Sequence, residues 1–255
     1  MSPLAGKSSL LPLALLPLLT ACSKADVSGL GFEEGISSVN DASLSLWQGA
    51  WIAAAVVGVF TLILILWPVF FHRKKDESFP KQTQYNIPVE VAYTVIPFII
   101  VAVLFYFTVQ RESKIVKITP DAQVSHFIDV LGFQWSWQFK YRDAGEYKSA
   151  TVTGTPAQPP TLYLPQGEKV RFTLDANDVV HGFWIPAFMI QMQNLPGVTN
   201  KLEFTANKLG TYPGRCNILC GRNHSQMLFS VKVVTPAEYE QYLQGLVAEE
   251  KAAVA

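Results

Sequence analysis

The chain has 255 residues, with 20 basic and 20 acidic side chains and a pI near 6.9. A zero formal charge excludes a chain-wide electrostatic footprint for nucleic acid. Charged residues make up only 16% against a hydrophobic share of 49%, where soluble domains usually carry about 25% charged residues. The apolar excess is gathered into runs, which excludes an ordinary soluble protein.

The first run, Leu10 to Leu19, follows Lys7 and ends in Leu19-Thr20-Ala21-Cys22. A basic start, a short apolar region and small residues before a cleavage point predict a secretory signal over residues 1–21. The run is too short to cross a bilayer, which takes about 20 residues. Leu-Thr-Ala-Cys resembles the lipobox of bacterial lipoproteins. That resemblance implies lipidation of Cys22, a mature chain beginning there, and an exported segment over 22–41.

The second run has no charge from Ala42 to Phe71, with Trp47, Trp51 and Trp67 near its ends as interface anchors. The third runs from about Ile87 to Val109 and contains one charge, Glu90. Together they predict a transmembrane hairpin over 42–112, with helices at about 44–71 and 87–110. Arg73, Lys74, Lys75 and Lys81 lie between the helices, and Arg111, Lys114 and Lys117 follow the second, so positive charge orients the hairpin weakly. The export signal orients it instead: two crossings from an exported N-terminus place the C-terminal half outside, at a bacterial cell membrane.

From Gln123 short runs rich in Val, Phe, Tyr and Thr take over, including Phe127–Leu131, Gln134–Tyr141, Lys169–Leu174, Lys201–Thr205 and Met227–Val233. Several alternate apolar and polar residues, the period of a half-buried strand. Asp143-Ala-Gly145, Pro159-Pro160, Pro165-Gln-Gly167, Pro196-Gly197 and Pro213-Gly214 read as the turns between them. The pattern predicts an all-β antiparallel sandwich or small barrel over 113–235. Thr235-Pro236-Ala237-Glu238 then opens a helix over 236–255 with an N-cap, a first-turn proline and a capping-box glutamate.

Of three cysteines, Cys22 belongs to the lipobox and two remain, Cys216 and Cys220. An exported compartment first suggests a disulfide. A loop that short gains little from one, and His224 and Met227 follow at spacings of four and three, with His181 upstream in Asp178-Val-Val-His181. Two thiolates, two imidazoles and a thioether select copper or zinc over oxygen-preferring metals. A Cys2His2 zinc site leaves Met227 without a role, and a single blue-copper centre leaves a thiolate over. Two coppers bridged by both thiolates use every donor.

These residues, with the hairpin and the strand-rich domain, resemble subunit II of the haem–copper cytochrome c oxidases, which carries a dinuclear copper centre, CuA, in a cupredoxin-like domain. The motif is Cys-x-x-x-Cys-x-x-x-His-x-x-Met with an upstream histidine. The resemblance implies His181, Cys216, the main-chain carbonyl of Ile218, Cys220, His224 and Met227 as copper ligands. Gly132-Phe-Gln-Trp135-Ser-Trp137 resembles the family's aromatic segment, which implies Trp135 as the point where electrons from cytochrome c come in and Trp137 as core. Two residues apart on one strand, they would share a face, so periodicity does not separate them. Phe133 stands where the family usually has histidine. Glu90, in Pro88-Val-Glu-Val-Ala-Tyr-Thr-Val-Ile-Pro97, matches a family glutamate at the cytoplasmic mouth of a proton path. A helix N-terminus near the interface also suffices to tolerate a carboxylate there.

Ile218 stands where the family commonly has a glutamate shared with an interface magnesium, and Gln193 stands where an acid is frequent. Ile218 keeps its carbonyl but offers no carboxylate to a hard cation, so that magnesium site is not expected here. His72 and His126 lie outside the ligand cluster. The implied partners are oxidase subunit I, which would hold the haems, the remaining copper and the oxygen chemistry, together with cytochrome c and membrane lipid. Asp121, Asp129, Asp143, Asp175 and Asp178 are available to steer a basic cytochrome, though solvated surface explains most of them. Competing readings are a quinol oxidase subunit, which lacks the copper ligands, a membrane-anchored structural zinc or copper-carrier module, and nitrous oxide reductase, whose large catalytic domain has no counterpart here.

Overall fold

The computed structural model describes residues 30–74, 76–79, 82–142 and 150–254. Cys22 and the signal region, Lys75, Lys81 and Asp143 lie outside the described residues. Two long helices come first, α1 (Asn40–Phe71) and α2 (Ile87–Ile115). At 1.5 Å per residue each is longer than the roughly 30 Å hydrocarbon layer. Their apolar side chains point outward all round, Ile52, Phe60, Phe98 and Phe105 being more than 60% exposed. Such surface is stable only against lipid or other membrane helices. The start of α2 is capped reciprocally. Asn86 Oδ1 accepts from the Val89 N–H, and Glu90 Oε1 accepts from the Asn86 N–H at 3.0 Å.

The rest is a two-sheet sandwich. Its strands are β1 (His126–Phe133), β2 (Ser136–Tyr141), β3 (Ala150–Thr153), β4 (Thr161–Pro165), β5 (Lys169–Ala176), β6 (His181–Ile185), β7 (Ile190–Asn194), β8 (Asn200–Thr205), β9 (Gly210–Cys216) and β10 (Leu228–Val234). One sheet runs β3-β2-β1-β5-β8 and the other β4-β10-β9-β6-β7. The all-β reading holds, but the sheets are not purely antiparallel: β1 pairs with β5, and β4 with β10, in parallel. Each parallel pair joins strands whose connection passes through the opposite sheet, as a long crossover requires. Burial alternates along β1 as period two demands, and Trp137, Phe139, Phe172, Phe183, Phe204 and Phe229 fill the space between the sheets.

Two local readings change. Gln134–Tyr141 is not one strand, because Phe133 pairs with Ser136 and leaves Gln134-Trp135 as a two-residue hairpin loop. Trp135 therefore sits half-buried at the tip of a turn while Trp137 is fully buried, so the shared-face argument does not apply. Pro213-Gly214 is not a turn but part of β9, paired with Ser230 and Phe229 of β10. Gly214 is needed because a Cβ there would lie 2.2 Å from the Phe229 ring. The proline is tolerated because β6 pairs with β9 only at Arg215 and Cys216, so β10 alone flanks Pro213.

Both arms of the hairpin are fastened to the sandwich. Before α1, Ser38 N–H donates to Thr205 O at 2.9 Å and Asn207 N–H donates to Ile36 O at 2.8 Å. After α2, Thr119 donates its N–H and hydroxyl to Glu203, whose carboxylate is 2.5 Å from Arg171 Nε. Arg171 also reaches Asp121 and the Thr119 carbonyl and lies over the Phe127 ring.

The closing helix, α3 (Pro236–Val254), packs against β3 and β4 and so spans the edges of both sheets. Its capping box is formed. Thr235 N–H donates to Glu238 Oε2 at 2.9 Å, and Glu238 N–H donates to Thr235 Oγ1 at 3.3 Å. The hydrogen bonds from Thr235, backbone first, hold the Glu238 carboxyl below its ordinary pKa. A group whose folded pKa is depressed stabilises above its unfolded value, and that contribution is lost as pH falls through the folded value. Thr235→Ala is expected to cost about 1 kcal/mol, read as a lowered thermal midpoint at neutral pH, with the difference from wild type shrinking in acid.

Candidate metal centre

Three segments converge at one end of the sandwich. Antiparallel pairing of β6 with β9 sets Phe183 opposite Cys216, which brings His181, the first residue of β6, beside the end of β9. The loop from Cys216 to Met227 then folds over this end before β10 begins. Cys216, Cys220, His181 and Met227 are all buried, the last two completely.

Ligand atoms of His181, Cys216 and Cys220 lie within 4.8 Å of one another. Cys220 Sγ is 3.8 Å from Cys216 Sγ, 3.7 Å from Met227 Sδ and 3.5 Å from His224 Nδ1. The Ile218 carbonyl is 3.2 Å from Cys216 Sγ. The cysteines are free thiols, their sulfurs far beyond the roughly 2.05 Å of a disulfide. The five side chains and the carbonyl singled out in the sequence therefore share one pocket.

The protonation pattern fits a metal site. His181 Nε2 faces Asp178 Oδ1 at 2.8 Å, which turns Nδ1 inward, buried and without a hydrogen-bond partner. A buried lone pair of this kind is costly unless something binds it. Burial opposes ionisation of Cys216, but the His181 contact and the Gly182 N–H, 3.4 Å away, outweigh it and lower its pKa. Burial and the neighbouring Cys216 charge push Cys220 the other way. Burial disfavours the His181 imidazolium, yet Cys216 and Asp178 raise its pKa. The pocket thus holds protons that a cation would displace, so metal affinity must fall with pH. Two thiols, two imidazoles and a thioether suit copper.

The sandwich residues 126–234 match the family model described as cytochrome C oxidase subunit II, periplasmic domain. A probable cytochrome c oxidase subunit 2 of Streptomyces coelicolor is 40% identical over 270 residues, covering 91% of this chain and 83% of that protein. The chain belongs to the cytochrome c oxidase subunit II family. A cytochrome c oxidase subunit 2 of Mycobacterium tuberculosis is 33% identical over 288 residues, covering 91% of this chain and 78% of its own. Among solved structures, the periplasmic domain of subunit II of the Bradyrhizobium japonicum cytochrome oxidase aligns at a TM-score of 0.46 and 26% identity, over 52% of this chain and 99% of that one.

Membership makes this chain one subunit of an oxidase complex, anchored by two apolar helices. It also frames the remaining residues. Trp135 lies beside the loop, its Nε1 donating to the Cys220 carbonyl at 3.1 Å, while Trp137 is core and meets His181 edge-on with centroids 6.2 Å apart. Glu90 is not brought to the cluster; it sits in the first turn of α2, bonded to the Asn86 N–H. Gln193 is exposed on β7, opposite Gly182. His126, apart from the cluster, is buried against Glu168 at 2.5 Å.

Most acids read as steering charges or open surface have partners. Asp121 meets Arg171, Asp129 meets Arg142, and Asp175 accepts from Thr199. Asp178 is the one that sequence reasoning undervalued. Burial would raise its pKa, but hydrogen bonds from His181 and from the Gln134 and Val179 N–H groups hold it low. The signal was present as Asp-x-x-His, a spacing that lets the carboxylate reach back to the imidazole. Asp178→Asn is expected to weaken copper binding about 10–100-fold, measured by competition with a copper chelator, because the ring loses its tautomer-fixing anion.

Proposed function

We propose that this chain is the electron-input subunit of a respiratory, proton-translocating cytochrome c oxidase. In this reading residues 1–21 are a lipoprotein signal, Cys22 is lipidated, 22–41 are exported, 42–112 form the hairpin, 113–235 carry CuA outside the cell membrane and 236–255 close the domain. The single observation carrying it is the convergence of two free thiols 3.8 Å apart with His181, His224, Met227 and the Ile218 carbonyl. His181, Cys216, Cys220, His224, Met227 and the Ile218 carbonyl would hold two copper ions. When bound, the pair supplies a one-electron relay between cytochrome c and the haem of subunit I.

The chain's own residues perform the rest. Trp135, half-exposed and bonded to the Cys220 carbonyl, offers cytochrome c an aromatic edge in contact with the ligand loop. The sandwich fixes β6 and β9 in register, so the donors move little when charge changes, and burial keeps water from the sulfurs. Oxygen reduction belongs to subunit I. Glu90 is proposed at the mouth of a proton path, and its capping bond keeps the carboxylate at the start of α2. Ile218 and Gln193 offer no carboxylate, so neither supplies one to an interface magnesium.

The test is to load the membrane-extracted chain with copper and record optical and EPR spectra. A purple, mixed-valence dinuclear signal is expected. Silent zinc loading would favour a structural module, and a single-copper hyperfine pattern would force a blue-copper centre. A quinol oxidase subunit is disfavoured by the complete donor set. Mass spectrometry of the mature N-terminus tests Cys22, a diacylglycerol adduct being the expected result.

A further inference from the structure

The turn between β1 and β2 carries a hydrogen-bond circuit that copper ligation alone leaves unexplained. Gln134 N–H donates to Asp178 Oδ2 at 2.7 Å, and the other oxygen of Asp178 is 2.8 Å from His181 Nε2. Gln134 Nε2 donates to the Cys220 carbonyl at 2.8 Å, and Trp135 Nε1 donates to the same oxygen at 3.1 Å. One dipeptide thus joins the start of β6 to the Cys216–Met227 loop, two segments remote in sequence. A carbonyl oxygen has two lone pairs, and two donors converge on this one.

Gly221 shows how closely the parts fit. Its φ is +121°, and a Cβ there would lie 3.1 Å from both Gln134 Nε2 and Trp135 Nε1. A side chain at 221 would be strained in itself and would crowd both donors. The loop therefore passes so close to the turn that a Cβ at 221 would push on both donors.

We propose that Gln134 is a positioning residue for electron input: it holds the edge of Trp135 against the Cys220 carbonyl and ties that loop, through Asp178, to His181. The inference rests on the copper reading. An exposed amide on this face could instead serve as a surface contact for an incoming protein. Positioning is favoured because the backbone N–H and one of the two side-chain amide N–H groups are directed inside the molecule.

The test uses the full chain assembled in its oxidase, with Gln134→Met, which keeps bulk and removes the donor without adding charge. The expected result is a fall in kcat for cytochrome c oxidation of about tenfold, at unchanged KM, in the range for lost partners around metal ligands. The copper EPR and optical bands should shift. In the copper-free chain the Trp135 indole N–H should exchange faster with solvent. Gly221→Ala, which crowds both donors while leaving Gln134 in place, should do the same. A raised KM with unchanged kcat, spectrum and indole exchange would make Gln134 a docking contact and overturn the proposal. Wild-type behaviour in either variant would overturn it too. If the wild-type chain itself gives no dinuclear spectrum, the copper reading falls instead.

Discussion

Cys220→Ser is expected to abolish the dinuclear copper spectrum and to cut electron input from cytochrome c by at least about 100-fold, beyond the cost of losing a partner outside the ligand set. Cys220 is the more telling of the two thiols because its sulfur lies within 3.8 Å of Cys216, Met227 and His224 alike. A serine hydroxyl is a hard donor that stays protonated, so it neither bridges nor stabilises a soft cation. What remains is one thiolate, two imidazoles, a thioether and the Ile218 carbonyl, enough for one copper at most. Folding and metal loss separate cleanly. A buried hydroxyl without a partner costs roughly 1–3 kcal/mol in the metal-free chain. Copper at about 1,000 times its dissociation constant should raise wild-type stability by about 4 kcal/mol, and that increment should vanish in the variant. Paired thermal melts with and without copper read both quantities. A variant that keeps the copper-induced shift would show that Cys220 is not a ligand.

The loop carrying these donors was legible because its chemistry is local: sulfur and imidazole at spacings of four, four and three crowd into one turn whatever surrounds them. The two apolar helices were legible for a similar reason, since a run without charge needs no tertiary context to be recognised. Trp135 and Trp137 show where local pattern stops. Their spacing says one face, and only the pairing of Phe133 with Ser136 reveals a two-residue turn between them. Pro213-Gly214 misleads in the opposite sense. The pair has turn composition, but Gly214 is chosen by the Phe229 ring lying over it, a contact 15 residues distant in sequence. Gln134 was hidden because its partners, the Asp178 carboxylate and the Cys220 carbonyl, are brought to it by the fold. Asp178 was visible in its Asp-x-x-His spacing, and only its bond from the Gln134 N–H was not.

Glu203→Ala is expected to destabilise the sandwich by about 3–5 kcal/mol, the usual result of stripping one partner from a buried ion pair. Arg171 and Glu203 face each other across β5 and β8, with side chains only 5% and 4% exposed. Without Glu203 the guanidinium keeps Asp121, whose side chain is 82% exposed and screened by water, so the buried charge stays poorly compensated. Thr119 loses the acceptor for both its N–H and its hydroxyl. At about 2–8 °C per kcal/mol for domains of this size, the midpoint should fall by at least about 6 °C. The cycle completes with Arg171→Met and the double variant, which removes both charges and should recover most of the loss. The pair lies at the end of β5 nearest the linker, whereas His181 and the cysteine loop lie at the other, so molecules that remain folded should bind copper with wild-type spectra. The assembled oxidase should feel the change differently. The same carboxylate fastens Thr119, four residues beyond the end of α2, to β8, so its loss loosens the sandwich on its hairpin. Electron transfer onward to subunit I should therefore slow in Glu203→Ala while copper reduction by cytochrome c does not, a split that rapid-mixing spectroscopy resolves. Equal rates in both steps would leave Glu203 as a stabilising residue only.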